Sequence, residues 1–256
     1  VKRCLVALFG WVLCAGSAAA VQFELEYEAA IHTVVVLGKA QLRGQAGASA
    51  FSFSGGLQTT NFGALFDDTR LTVASNGTAS TGALRMNAYS LVHNYAKKSR
   101  RTILRRGPAG VQPTAIPAYK DLGDPPASLA QINASNDPLT SILALAIEVG
   151  RSRACQGRAS VFDGRQHYAL SLRAATRGTY RGGGYSGDAL ICRMRYEPIS
   201  GFKPMGAAER ARIPEATIWF AAGAPAGAGF APPLRIAVPT PLGEARLDLK
   251  KYKVSA

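Results

Sequence analysis

The segment from Asp137 to Gly150 constrains the fold more than any other stretch of the chain. Asp137 is suited to cap free backbone N–H groups, Pro138 sits where a helix tolerates a missing N–H, and Gly150 reads as the stop. Between them Leu139, Ile142, Leu143, Leu145, Ile147 and Val149 leave almost no polar face. A helix that is apolar all round must be covered on several sides. At about 12 residues it is about 18 Å long, too short to cross a bilayer. The rest of the chain has to wrap around it.

That remainder reads as strands. Short β-type runs stand at Phe23–Tyr27, Thr33–Leu37, Phe51–Phe53, Leu71–Val73 and Leu84–Met86. They resume at Ala159–Phe162, Tyr168–Leu172, Ala189–Tyr196, Thr217–Ala221, Leu234–Val238 and Ala245–Leu249. Several alternate apolar and polar residues, the pattern of a sheet with one buried face. Asn76-Gly77 is expected to turn a tight hairpin between two of these runs. Residues 107–136 hold Pro108, Pro113, Pro117 and Pro125-Pro126 and are expected to form a long extended connection inside one domain. Gly182-Gly183-Gly184 is expected to be a turn, without the flanking strand and helix of a phosphate cradle. The fold class is thus mainly β: a curved antiparallel sheet, an open or half barrel, with one buried helix near 138–149, in a single domain spanning 21–256. Charged residues are 18% and hydrophobic residues 47% of the 256, which excludes a disordered chain.

The first twenty residues carry the marks of an export signal. Lys2 and Arg3 form a positive start, Leu5 to Leu13 is an apolar run, and Ala18 and Ala20 are the small residues that signal peptidase needs, with cleavage expected after Ala20. Leu13 stands before Cys14 where a lipoprotein signal wants a small residue, which disfavours a lipid anchor. The expected location is the periplasm. Cys155 and Cys192 then remain, an even pair in an oxidising compartment, and no Cys-x-x-Cys redox spacing is present. A structural disulfide is the better reading. Its 37-residue separation would contribute roughly 4 kcal/mol in the chain-entropy model.

The net charge is +14, and Lys97, Lys98, Arg100, Arg101, Arg105 and Arg106 place six cations within ten residues. Two readings stand: a contact for an anionic membrane surface or other envelope polyanion, and a solvated strand edge guarded by its charges. Nucleic acid is not expected, because export removes it and no aromatic residues interleave the cluster.

The run Asp137-Pro138-Leu139-Thr140-Ser141-Ile142-Leu143-Ala144-Leu145, then Cys155 and Val161-Phe162-Asp163-Gly164-Arg165-Gln166-His167-Tyr168, resembles the bacterial family catalogued as domain of unknown function 3108. Tyr185 to Phe202 looks like that family's second-cysteine block, and Ile218-Trp219-Phe220 with Thr240-Pro241-Leu242-Gly243 like its tail. The resemblance implies an exported envelope protein, mostly antiparallel β, with an open half-barrel shape like that of the periplasmic lipoprotein carriers. It implies no particular ligand.

Chemistry is sparse in the sequence. His32, His93 and His167 have no metal spacing, so no metal or cofactor is expected. Asp163 and His167, four apart, are weighed as part of a triad, with a turn as the better reading. No catalytic residue is assigned. The expected function is a non-enzymatic envelope protein whose concave sheet takes a lipid, an acyl chain or an extended peptide. The alternative is a structural or interaction protein that binds an envelope partner without a small ligand, and a hydrolase ranks below both.

Overall fold

A computed structural model describes residues 20–32, 35–60, 63–64, 68–80, 83–223 and 229–255. The expected export segment, with Ala18 and Cys14, lies outside these; Ala20 is exposed and the first strand begins at Val21. Strands β1 (Val21–Ile31), β2 (Val35–Ala46), β3 (Ala50–Thr59), β4 (Thr69–Ser80), β5 (Ala83–Tyr95), β6 (Lys98–Gly107) and β7 (Gly110–Ile116) form one antiparallel meander. A second comprises β8 (Arg158–Phe162), β9 (His167–Gly182), β10 (Tyr185–Ser200), β11 (Ala216–Ala221), β12 (Pro233–Thr240) and β13 (Gly243–Ser255). Pairing of β1 with β13 fuses them into one 13-stranded sheet, ordered 7-6-5-4-3-2-1-13-12-11-10-9-8. Both sheet edges therefore come from the middle of the chain.

Alternation decides the faces. In β1, Val21, Phe23, Leu25 and Tyr27 are buried while Gln22, Glu24, Glu26 and Glu28 point outward. The outward acids meet the basic outer face of β13: Lys251 reaches Glu24 at 2.8 Å and Glu26 at 2.9 Å, and Lys250 reaches Glu28 at 2.8 Å. Opposite charges across a strand pair favour that pairing over one that sets like charges face to face.

The two edges do not pair with each other. The gap is filled by α1 (Leu129–Ala134) and α2 (Pro138–Ser152), while a short α3 (Ala207–Ala211) lies after β10. Asp137 caps α2, accepting from the Thr140 N–H at 3.0 Å, and Pro138 opens the helix as expected. Leu143, Leu145 and Val149 are almost fully buried against the sheet, each contributing about 1.5–3 kcal/mol by leaving water. They join a core with Phe23, Phe53, Phe220, Phe230 and Leu249.

Three sequence expectations are corrected. Gly150 does not end the helix, which continues to Ser152 and stops at Arg153 in the left-handed region. Gly150 is small for another reason: a Cβ there would sit 2.7 Å from the Gly229 carbonyl and the Phe230 nitrogen, which cross the helix at that point. Asn76-Gly77 is no hairpin turn but lies within β4, where the register with β5 shifts. A Cβ on Gly77 would collide with the Arg85 carbonyl and the Phe51 ring. The connection 107–136 also holds more structure than its prolines suggest. Pro113 sits on the edge strand β7, where a missing N–H is tolerated, and Ser128 with Gln131 forms a reciprocal capping box that starts α1. The glycine triplet does form the β9–β10 turn, with Gly183 and Gly184 in the left-handed region.

Candidate functional site

The inner face of β1–β6 is built of cross-strand rows. One row runs Tyr27, Ala40, Leu57, Leu71, His93 and Arg100, each opposite the next. The adjacent row runs Leu25, Leu42, Gly55, Val73, Leu91 and Thr102, and a third runs Phe23, Gly44, Phe53, Ser75, Tyr89 and Leu104. The third row is buried apart from Gly44 and shares the core with α2. In the first two, everything from Ala40 and Leu42 across to Leu91, His93 and Arg100 is half-buried. The result is a partly covered apolar strip four inter-strand steps wide, about 19 Å, that ends on an aromatic and cationic corner.

At that corner the His93 ring lies 4.6 Å from that of Tyr95. The Arg100 guanidinium is 4.5 Å from the centre of the Tyr119 ring, and that of Arg165 is 5.9 Å from it. The Tyr119 hydroxyl meets the Thr102 hydroxyl at 3.3 Å. Arg165 comes from the β8–β9 turn, whose Gly164 abuts the Thr102 side chain, so the far end of the sheet touches the inner face of β6 here.

The six cations of the basic run are not one patch. Strand alternation turns Arg101 and Arg105 outward and Arg100 and Arg106 inward, with Lys97 in the β5–β6 turn and Lys98 at the start of β6, both exposed. Arg106 is a fastener for the seam. It donates to the carbonyls of Met86 at 2.8 Å, Asn133 at 3.1 Å and Ser135 at 3.0 Å. Beside it Asn136 acts as a one-residue strand: its N–H donates to Ser160 and its carbonyl accepts from Phe162. Its side-chain amide donates to the Leu84 carbonyl, and its side-chain carbonyl accepts from the Met86 N–H. Asn136 thus stitches β5 to β8.

Asp163 and His167 do not pair. Asp163 Oδ1 accepts the N–H groups of Arg165 and Gln166 at 2.9 and 2.7 Å, the turn expected of this sequence. His167 Nε2 instead meets the Ser160 hydroxyl at 2.9 Å, and Ser160 in turn meets Ser135 at 2.8 Å. Burial holds the His167 imidazole below its ordinary pKa, and Nδ1 is buried with no partner, so no carboxylate orients it as a triad requires. A separate buried set joins Asp137 to Ser75 at 2.7 Å and to the Thr140 hydroxyl at 2.6 Å. Burial raises the carboxyl pKa of Asp137 against these hydrogen bonds, and burial also raises that of Asp163. Among the described residues no three His, Cys, Asp or Glu side chains converge as a metal site.

Cys155, just past α2, is bonded to Cys192 on β10, with Cα atoms 5.4 Å apart. The bond fastens the helix end to the second meander. Two concavities lie mostly on the outer face of the sheet. One of about 720 Å³ is lined by Glu24, Arg43, Gln45, Ser54 and Lys253, and one of about 730 Å³ by Glu26, Glu28, Lys39, Arg70 and Lys250. Their lining alternates in charge.

Sequence reading missed Tyr119, Ser160, Arg165 and the fastening role of Arg106. The alternation Arg100, Thr102, Leu104, Arg106 was the available signal for the last, since it puts both arginines on the face of two core residues. Nothing local in the sequence marks Tyr119 or Arg165, which meet only through the closure of the sheet.

The fold defines an open, β-barrel-like protein whose seam is filled by helices. It is similar to the crystal structure of a β-barrel-like protein of domain of unknown function DUF1849 from Brucella abortus. The TM-score is 0.56 at 10% identity, over 92% of this chain and 98% of that one, a likeness of fold alone. No family model and no curated protein matches the sequence. The likeness is to a β-barrel-like fold and does not single out domain of unknown function 3108.

Proposed function

We propose that this is an exported, non-catalytic binding protein of the cell envelope, akin to domain of unknown function 3108, that holds the apolar chain of an amphiphile on its inner sheet face. The observation that carries the reading is the half-covered apolar strip of Ala40, Leu42, Leu57, Leu71, Val73 and Leu91, set beside a core packed tight around α2. A concave, largely apolar surface with a few polar groups at one end is the usual form of a small-ligand site. The Cys155–Cys192 bond supports export, since such bonds persist in oxidising compartments. Lys97, Lys98, Arg101 and Arg105, which face solvent on one hairpin, are the cations suited to meet an anionic membrane during delivery or uptake.

Native mass spectrometry of the protein purified from the periplasm without detergent tests this. A reproducible adduct in the lipid mass range, released on mild denaturation, is the expected result. A bare chain overturns the ligand reading. It would favour the second one, a partner-binding protein, for which the mixed-charge outer concavities are the supporting observation.

A further inference from the structure

Arg100 and Arg165 come from opposite ends of the sheet order, β6 and the β8–β9 turn, yet their guanidinium groups approach the same Tyr119 ring. Two like charges brought to one half-buried corner repel each other unless something negative lies with them. The negative groups present serve them poorly. Asp121 reaches Arg165 at 3.2 Å, but its side chain is 57% exposed. Asp163 faces Arg165 electrostatically while its Oδ1 is engaged by two backbone N–H groups of the turn. Arg100 has no ion pair among the described residues, and the Nε atoms of both arginines are out of water and without a partner. Buried guanidinium nitrogens normally find an acceptor, and a planar fork of donors fits the oxygens of a carboxylate or phosphate.

The corner is also the end of the apolar row, since Arg100 stands next to His93, which stands next to Leu71 and then Leu57. We infer that Arg100 and Arg165, set around Tyr119, form an anion clamp that takes the phosphate or carboxylate head of an amphiphile whose chain lies along Leu71, Leu57 and Ala40. This rests on the reading of the inner face given above and adds its head-group end. The clamp assigns the head to two inward arginines, one of them outside the basic run, and leaves the outward cations of that run to the membrane surface.

Titration calorimetry with dodecyl phosphate, dodecanol and inorganic phosphate separates the parts. In the Arg100→Gln/Arg165→Gln double variant, dodecyl phosphate is expected to bind about tenfold or more weakly than to the unaltered protein, the loss of one or two charge-assisted hydrogen bonds, with dodecanol unchanged. If the double variant does not fold, Arg165→Gln alone carries the comparison, because its side-chain partner Asp121 is an exposed one. Equal binding of both amphiphiles, unaffected by either variant, would overturn the clamp and leave the apolar strip standing. Binding of inorganic phosphate as tight as dodecyl phosphate, lost in the variant, would support the clamp as a site for a free anion and overturn the chain-binding reading. No binding of any of the three overturns both.

Discussion

Arg106 shows how one side chain can be misread from composition and then decide a structure. Its three carbonyl partners come from β5, α1 and the link into α2, groups whose own backbone ladders end at the seam. Desolvation lowers the pKa of its guanidinium, which stays charged at any working pH. Arg106→Ala is expected to destabilise the protein by about 2–4 kcal/mol, because it leaves several carbonyls without a donor. Arg105→Ala, one residue along on the outer face, should cost less than about 0.5 kcal/mol. Urea denaturation of the two variants side by side checks this, and equal losses would refute the assignment.

Among the elements, α2 was the most legible. Its cap, its proline and its lack of a polar face are all local, and together they demand a concave sheet. The strand runs were legible in place but not in length, since β9 and β10 extend to 16 residues each where the apolar pattern marks only part. The edge strand β7 was hidden by its proline and β6 by its charges. What could not be read was closure: Asn136 bridging β5 to β8, and the β8–β9 turn touching β6, depend on the three-dimensional curl of the sheet. Gly150 makes the same point. By propensity alone Gly150→Ala should strengthen the helix by about 1 kcal/mol. The crossing backbone at Gly229 and Phe230 allows no Cβ, and the Ala231 N–H donates to the Ala146 carbonyl beside it. The substitution is expected to lower stability by about 1–3 kcal/mol net, read as a fall in the thermal midpoint.

At the scale of the whole molecule, buried titratable groups oppose one another as pH falls. The folded pKa of His167 is below its ordinary value of about 6.5, so its contribution is full above that value and is lost as pH falls through the lowered one. Asp137 and Asp163 are raised, so their contribution is greatest below the ordinary aspartate range and declines as pH rises through the raised values. Between about pH 6.5 and 4 the two effects run in opposite directions. Relative to the unaltered protein, His167→Gln should gain stability on acidification across this window and Asp163→Asn should lose it. The urea midpoint at several pH values gives both slopes. Glu24, Glu197 and Glu215 are held below the ordinary glutamate range by hydrogen bonds from Lys251, Arg158 and Arg173 respectively, so their contribution fails only at lower pH.

The pairing of β1 with β13 has a consequence for how the chain finds itself. Each meander can zip from neighbour to neighbour, but the centre of the sheet joins segments more than two hundred residues apart, the slowest kind of contact to make. Until it forms, two half-sheets each display a bare strand, which is the hazard that leads to pairing with a second molecule. The outer faces of those strands discriminate between the options. β1 carries Glu24, Glu26 and Glu28 and no cation, while the C-terminal half of β13 carries Lys250, Lys251 and Lys253, so β1 meeting its own copy faces like charges where β13 of the same molecule offers opposite ones. The acid and base stripes thus act as a password between the two halves of one molecule, favouring the intramolecular partner over strangers of the same sequence.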